Sequence, residues 1–193
     1  HDPAPYFFSD KELFMTLDEL RELFLRRQSC RAFTGAPVPR AVLEEICSAA
    51  LLAPSACNAQ PWKLVAVTGD RIGSVAPCVQ GMGMNKFASD AGALIAVCAG
   101  KSNASAKAGG KMVGTDFTAN DLGILTAHLV LAAEAAGVQS CILGWRSRKK
   151  LCAALGLPEK TEIPVIIALG YAPEGYELRP KKRKSLEETL TVL

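Results

Sequence analysis

Residues 53–62, Ala-Pro-Ser-Ala-Cys-Asn-Ala-Gln-Pro-Trp, constrain this chain more than any other stretch. An apolar helical run stops at Pro54, and a strand-like run begins at Trp62. The fold must therefore turn from helix to strand over a short connection that Pro54 and Pro61 stiffen. Between the prolines lie Ser55, Asn58 and Gln60, whose hydroxyl and amide groups can read a polar heterocycle by hydrogen bonding. The same side chains equally suit the backbone groups of a tight turn. A stiff polar loop on a rigid scaffold is a common place for a binding site.

The flanking pattern extends this alternation along the chain. Leucines at 17, 20, 23 and 25 with Phe24 predict a helix over 16–27, and Val42, Leu43, Ile46, Ala49 and Ala50 predict another over 39–52. Trp62–Thr68 and Ala93–Cys98 read as strands, with a short helix expected over 71–80. Residues 116–136 form the longest helical pattern, apolar over most of its circumference, so burial on several sides is expected. An extended segment over 139–144, a helix over 147–155 and a buried strand over 163–170 complete the series. His128 falls inside the long helix with no acidic neighbour in sequence, which favours a packed core residue over a catalyst. Residues 100–114 are small, polar and glycine-rich, and a mobile loop is expected there. They are not a phosphate loop, because Met112 follows Gly110-Lys111 and Ser105 stands where the first glycine belongs. Interleaved helices and strands imply an α+β or α/β domain over 16–193, preceded by a poorly ordered leader over 1–15.

Composition narrows the classes. The chain has 193 residues, 49% hydrophobic and 21% charged, as expected of a soluble globular domain with a real core. Its longest apolar runs, such as Val165–Leu169 and Leu94–Ala99, fall far short of a membrane span. A net charge of +3 is too small to imply a nucleic-acid partner. The seven cysteines are scattered among apolar neighbours without a Cys-x-x-Cys pair, which implies a reduced, cytoplasmic protein. Metal-ligand spacing is absent.

Two basic groups stand out. Arg27, Ser29 and Arg31 alternate as the chain leaves the first helix, and in an extended segment they point one way. Two guanidinium groups and a hydroxyl on one side suit a phosphate, although Arg26 and Arg27 also suit a solvated helix end. In the tail, Lys181 and Arg183 alternate within Lys181–Lys184, so one phosphate could draw cations from both ends of the chain. This run has no interleaved aromatics for base stacking. After the long helix, Gly144 permits close backbone approach to a flat ligand. No nucleophile elbow is present, and Gly81–Lys86 lacks the third glycine of a dinucleotide fingerprint. Any redox chemistry therefore falls to a cofactor.

These pieces, in this order, resemble the FMN-dependent nitroreductase family. The resemblance rests on Arg27-x-Ser29-x-Arg31, on the segment 53–62, on the long helix leading to Ile142-Leu143-Gly144, and on Lys181-x-Arg183. It implies a mixed, largely antiparallel sheet flanked by helices, in a domain-swapped homodimer whose C-terminal tails reach across to the partner. It implies FMN at the interface, contacted by both chains. By position, Arg27, Gln28, Ser29 and Arg31 would hold the phosphate and ribityl chain, and Lys181 and Arg183 would complete the clamp. Pro54, Ser55, Ala56, Asn58 and Gln60 would come from the other subunit, while Ile142, Leu143 and Gly144 would line the ring. NAD(P)H would donate hydride and a nitroaromatic, a quinone or a related small molecule would accept it, with no dedicated catalytic side chain and no metal. Some members carry an acidic residue where this chain has Leu143, so the chain resembles the smaller, more divergent branch. Reductive dehalogenation, another dehydrogenation or a non-catalytic FMN-binding module are the alternatives on the same scaffold.

Overall fold

A computed structural model describes residues 15–193. Residues 1–14, nearly all of the expected leader, lie outside the described residues. The centre is a four-stranded sheet of β1 (Trp62–Val67), β2 (Ala93–Ala99), β3 (Gln139–Leu143) and β4 (Val165–Gly170), in the order β1-β2-β4-β3. Every strand pair is antiparallel, with Trp62 opposite Ala99, Ala93 opposite Leu169 and Gln139 opposite Gly170. The parallel component among the described residues is a bridge between Ser29 and Ser140, which lays the chain leaving the first helix along the β3 edge.

β2 and β4 are the inner strands and are buried on both faces, which is why they read as unbroken apolar runs. Successive side chains alternate between the faces. Leu94, Ala96 and Cys98 join α3 (Ile72–Val79) and α6 (Arg148–Leu155) through Val75, Val79 and Leu151. Ala93, Ile95 and Val97 join α2 (Arg40–Ala50) and α5 (Phe117–Ala135) through Ile46, Leu125 and Leu129. Each such Leu or Ile, fully removed from water, contributes about 1.5–3 kcal/mol.

Two helices differ from expectation. Residues 100–114 are not a loop throughout, because Ala104–Val113 forms α4. The Asn103 side chain caps its start by accepting from the Ala106 N–H at 2.8 Å, and Gly114 ends it in the left-handed conformation at φ 67°. Gly110 is buried against Phe117, where a Cβ would meet the Thr115 carbonyl at 2.6 Å. α5 is not buried on several sides within the chain. Its Leu122, Leu125 and Leu129 face is covered, but Gly123, Ile124 and Ala127 remain exposed. His128 is half-buried rather than packed in the core, with Nδ1 3.0 Å from the Ile124 carbonyl of its own helix.

The first helix, α1 (Leu17–Arg26), opens with a full capping box between Thr16 and Glu19. Those hydrogen bonds to the carboxylate, the backbone one first, hold Glu19 below the usual glutamate range. None of the residues of α1 is buried, and Leu17, Phe24 and Leu25 face solvent. The tail after Tyr171 runs back over residues 27–31 and carries the short α7 (Leu186–Thr189). Residues 182–193 are exposed throughout.

Candidate functional site

The chain leaving α1 and the returning tail are stitched together by Gln28. Its side chain is buried, with 8% exposed, and both ends of its amide are used. Nε2 donates to the Glu177 carbonyl at 3.1 Å, and Oε1 accepts from the Arg179 N–H and from Arg179 Nε, each at 3.2 Å. Arg179 also donates through Nη2 to the Ser29 carbonyl, and Lys181 donates through Nζ to the Arg27 carbonyl. The Arg31 N–H donates to the Tyr176 hydroxyl at 3.1 Å. These bonds place the tail cations beside the helix end, although more than 150 residues separate them in sequence.

Arg27, Lys181 and Arg183 thereby line one cavity of about 480 Å³. Phe24 and Leu25 of α1, Val130 of α5 and Ile142 of β3 supply apolar wall. None of the three cations is in an ion pair among the described residues. Burial, then the facing Arg27 and Arg183 charges, depress the Lys181 ammonium below the usual lysine range, and Glu134 offsets part of this. Mutually repelling cations beside an apolar wall are a donor set that suits an anionic group attached to a flat apolar one.

The other expected residues divide. Ser29 and Arg31 do not line this cavity, and the Ser29 main chain is spent on the bridge to Ser140 and on Arg179. Ile142 is 42% exposed and faces the cavity, whereas Leu143 is 2% exposed and its side chain packs in the core with α6. Gly144 is exposed, and its carbonyl accepts from Arg146 Nη1 at 2.6 Å.

Pro54, Ser55, Ala56, Asn58 and Gln60 line no part of the cavity in their own chain. Their loop is strained and heavily tied. Cys57, Asn58 and Gln60 are all left-handed, at φ 50°, 48° and 44°. A non-glycine residue there costs on the order of 1–3 kcal/mol, so the surroundings must enforce the shape. Ser55 Oγ accepts from the Gln60 N–H at 2.9 Å, and Asn58 Oδ1 accepts from Gln60 Nε2 at 2.9 Å. Asn103 Nδ2 donates to the Cys57 carbonyl at 2.9 Å, which ties α4 to the loop. Asp121 Oδ1 accepts from the Ala56 N–H at 3.0 Å, which ties α5 to it.

Several of these participants escape a reading of the sequence. Asp121 is an acid on the buried face of a largely apolar helix, and its partner is 65 residues away. Phe24 and Leu25 do carry a signal, since α1 is amphipathic and these two apolar residues stay exposed among the described residues. Apart from the exposed Cys57, the cysteines behave as small hydrophobes, and burial raises the thiols of Cys47, Cys78, Cys98 and Cys141 above their usual range.

Known proteins share this sequence pattern and fold. A model of the nitroreductase family matches residues 25–80 and 74–171. A Thermus thermophilus protein described as NADH dehydrogenase is 32% identical, over 86% of this chain and 92% of that protein. The crystal structure of a nitroreductase family protein from Streptococcus pneumoniae superposes with a TM-score of 0.76 at 24% identity, covering 90% of this chain and all of the other. The FMN-dependent nitroreductase NfnB from Mycobacterium smegmatis, solved with NADPH, gives a TM-score of 0.71 at 19% identity, over 90% of this chain and 97% of that one.

Proposed function

The chain belongs to the nitroreductase family, and on that premise we propose that it is an FMN-dependent oxidoreductase that takes hydride from NAD(P)H and reduces a small-molecule acceptor. The observation that carries this reading is the convergence of Arg27, Lys181 and Arg183, unpaired among the described residues, on a cavity walled by Phe24, Leu25 and Ile142. Such a cavity fits a phosphate-bearing planar cofactor, and FMN when bound supplies the hydride-transferring centre. The NADPH complex of NfnB and the NADH dehydrogenase name of the Thermus relative support the nicotinamide donor.

The chain's own residues bind and orient. Arg27, Lys181 and Arg183 neutralise the phosphate, and Gln28 holds the tail that carries two of them. Phe24, Leu25 and Ile142 would exclude water from the ring, with Leu143 and Gly144 following Ile142 along the same edge. A second copy of the chain supplies Pro54, Ser55, Ala56, Asn58 and Gln60. Exposed Leu17, Phe24 and Leu25 on α1, Ile124 on α5 and Leu186, Leu190 and Val192 in the tail support such a dimer, since a monomer leaves this apolar surface in water. No acid or base side chain is assigned, because alignment of donor and acceptor carries the step. Nitroaromatics and quinones are the acceptors proposed. The seven free cysteines support a reducing compartment such as the cytoplasm.

The test is anaerobic. The purified protein should carry the visible bands of bound flavin, lose them on addition of NADH or NADPH, and regain them with a nitroaromatic or quinone. A colourless protein that takes up no FMN refutes the cofactor. Bound flavin that neither nicotinamide bleaches refutes the reaction.

A further inference from the structure

Asp121 sits on the same buried face of α5 as Leu122 and Leu125, and only 3% of it is exposed. Its Oδ1 accepts from the Ala56 N–H at 3.0 Å, and its Oδ2 has no hydrogen-bond partner among the described residues and is shut off from water. A carboxylate in such a place is unfavourable, and an apolar residue there would serve packing better. What the carboxylate does accomplish is local to the loop. Ser55 is extended, at φ −146° and ψ 155°, so the helical turn that starts at Ala56 begins with a donor that needs an acceptor from outside the loop. The next residues, Cys57, Asn58 and Gln60, are the left-handed ones. Asp121 thus grips the loop at the entrance to its strained part.

Resting on the flavin site proposed above, we infer that Asp121 is the positioning residue of that site. It touches neither cofactor nor substrate. It latches the 55–60 loop, through the Ala56 N–H, in the conformation that presents Asn58 and Gln60 to the flavin of the opposite subunit. Without the latch the left-handed residues relax to ordinary backbone, and the second wall of the site is lost. The unpartnered Oδ2 is the cost of placing an acceptor at that depth.

The latch can be cut from either side. Asp121→Ala removes the acceptor. Ala56→Pro removes the donor with little backbone conflict, because proline suits the first position of a helical turn and the extended Ser55 suits the residue before proline. Asp121→Asn is isosteric and keeps the accepting oxygen. Leu151→Ala, in the core on the opposite sheet face, controls for lost stability alone. Each holoenzyme is diluted and FMN release is followed by flavin fluorescence. Asp121→Ala and Ala56→Pro should each weaken FMN retention tenfold or more, whereas Asp121→Asn and Leu151→Ala stay within about threefold of wild type. The inference is overturned if Ala56→Pro retains FMN like wild type, or if Leu151→Ala loses FMN as readily as Asp121→Ala. Should Asp121→Ala not fold, Ala56→Pro against Asp121→Asn decides alone. A wild-type protein that binds no FMN defeats the site itself, whereas wild-type binding with an indifferent Ala56→Pro defeats only the latch.

Discussion

Removing Arg27 and Lys181 together should change what the protein prefers to bind. Both side chains are half-buried and line the same cavity, whereas Arg183 is exposed. A charge-assisted hydrogen bond to phosphate contributes about 1.5–3 kcal/mol, and partial solvation puts each of the first two near the low end. At about 1.5 kcal/mol apiece, each substitution by Ala weakens FMN binding by roughly tenfold. The pair is less than additive, because Arg27 already raises the free energy of the charged Lys181 and its removal relieves the empty site. The double variant should therefore lose on the order of 30- to 100-fold. Riboflavin, which has the same ring and no phosphate, isolates the effect. Titration by flavin fluorescence should show wild type favouring FMN strongly over riboflavin, and the double variant losing most of that preference with its riboflavin affinity little changed. Arg40→Ala removes a cation on α2 that pairs with Glu44 at 2.7 Å, and it should leave the preference intact. An undiminished preference in the double variant, or an equal loss in Arg40→Ala, refutes the clamp.

Further expectations follow from the same contacts. Phosphate binding restores the ammonium of Lys181, whose pKa is lowered in the free protein, so binding takes up a proton between the free and bound values. FMN affinity should hold below that lowered value and fall as pH rises through the window toward and past the ordinary 10.5, by at most about tenfold per pH unit; Lys181→Arg should flatten that limb in the same titration. Gln28→Ala removes three bonds to the tail and should cost about 1–2 kcal/mol. In a thermal melt this appears as a Tm lower by roughly 3–6 °C, accompanied by weaker FMN binding. Adjacent glycines in α4 should respond in opposite directions. Gly109→Ala meets only Phe117 at 3.6 Å and should stabilise by about 0.5–1 kcal/mol, whereas Gly110→Ala meets the Thr115 carbonyl at 2.6 Å and should destabilise by about 1–3 kcal/mol in denaturant titration.

The sheet was legible because its inner strands obey one strong rule. β2 and β4 are buried on both faces, and runs such as Leu94–Ala99 and Val165–Leu169 have few other uses. α4 was not legible, since its small residues and paired glycines read as a loop. The signals that make it a helix are a cap at Asn103, a left-handed stop at Gly114 and a contact with Phe117, and the last exists only in the folded chain. In the site, Arg27, Lys181 and Arg183 could be named from alternation and charge. Their meeting depends on Gln28 and the tail backbone, which no local pattern encodes. The alternation expected of Arg27, Ser29 and Arg31 does not bring all three to the cavity, because the bridge to Ser140 and the bond to Tyr176 set their backbone instead. Asp121 escaped for a related reason: helical periodicity treats it as an interruption, and only its contact with Ala56 gives it a purpose.

In the proposed site, one chain's cation-lined cavity and another chain's 55–60 loop together hold FMN. Native mass spectrometry of the FMN-loaded protein tests it in one spectrum. The expected spectrum shows a dimer carrying one FMN per chain and, on gentle dissociation, monomers that carry none. A monomer that retains FMN stoichiometrically would contradict it.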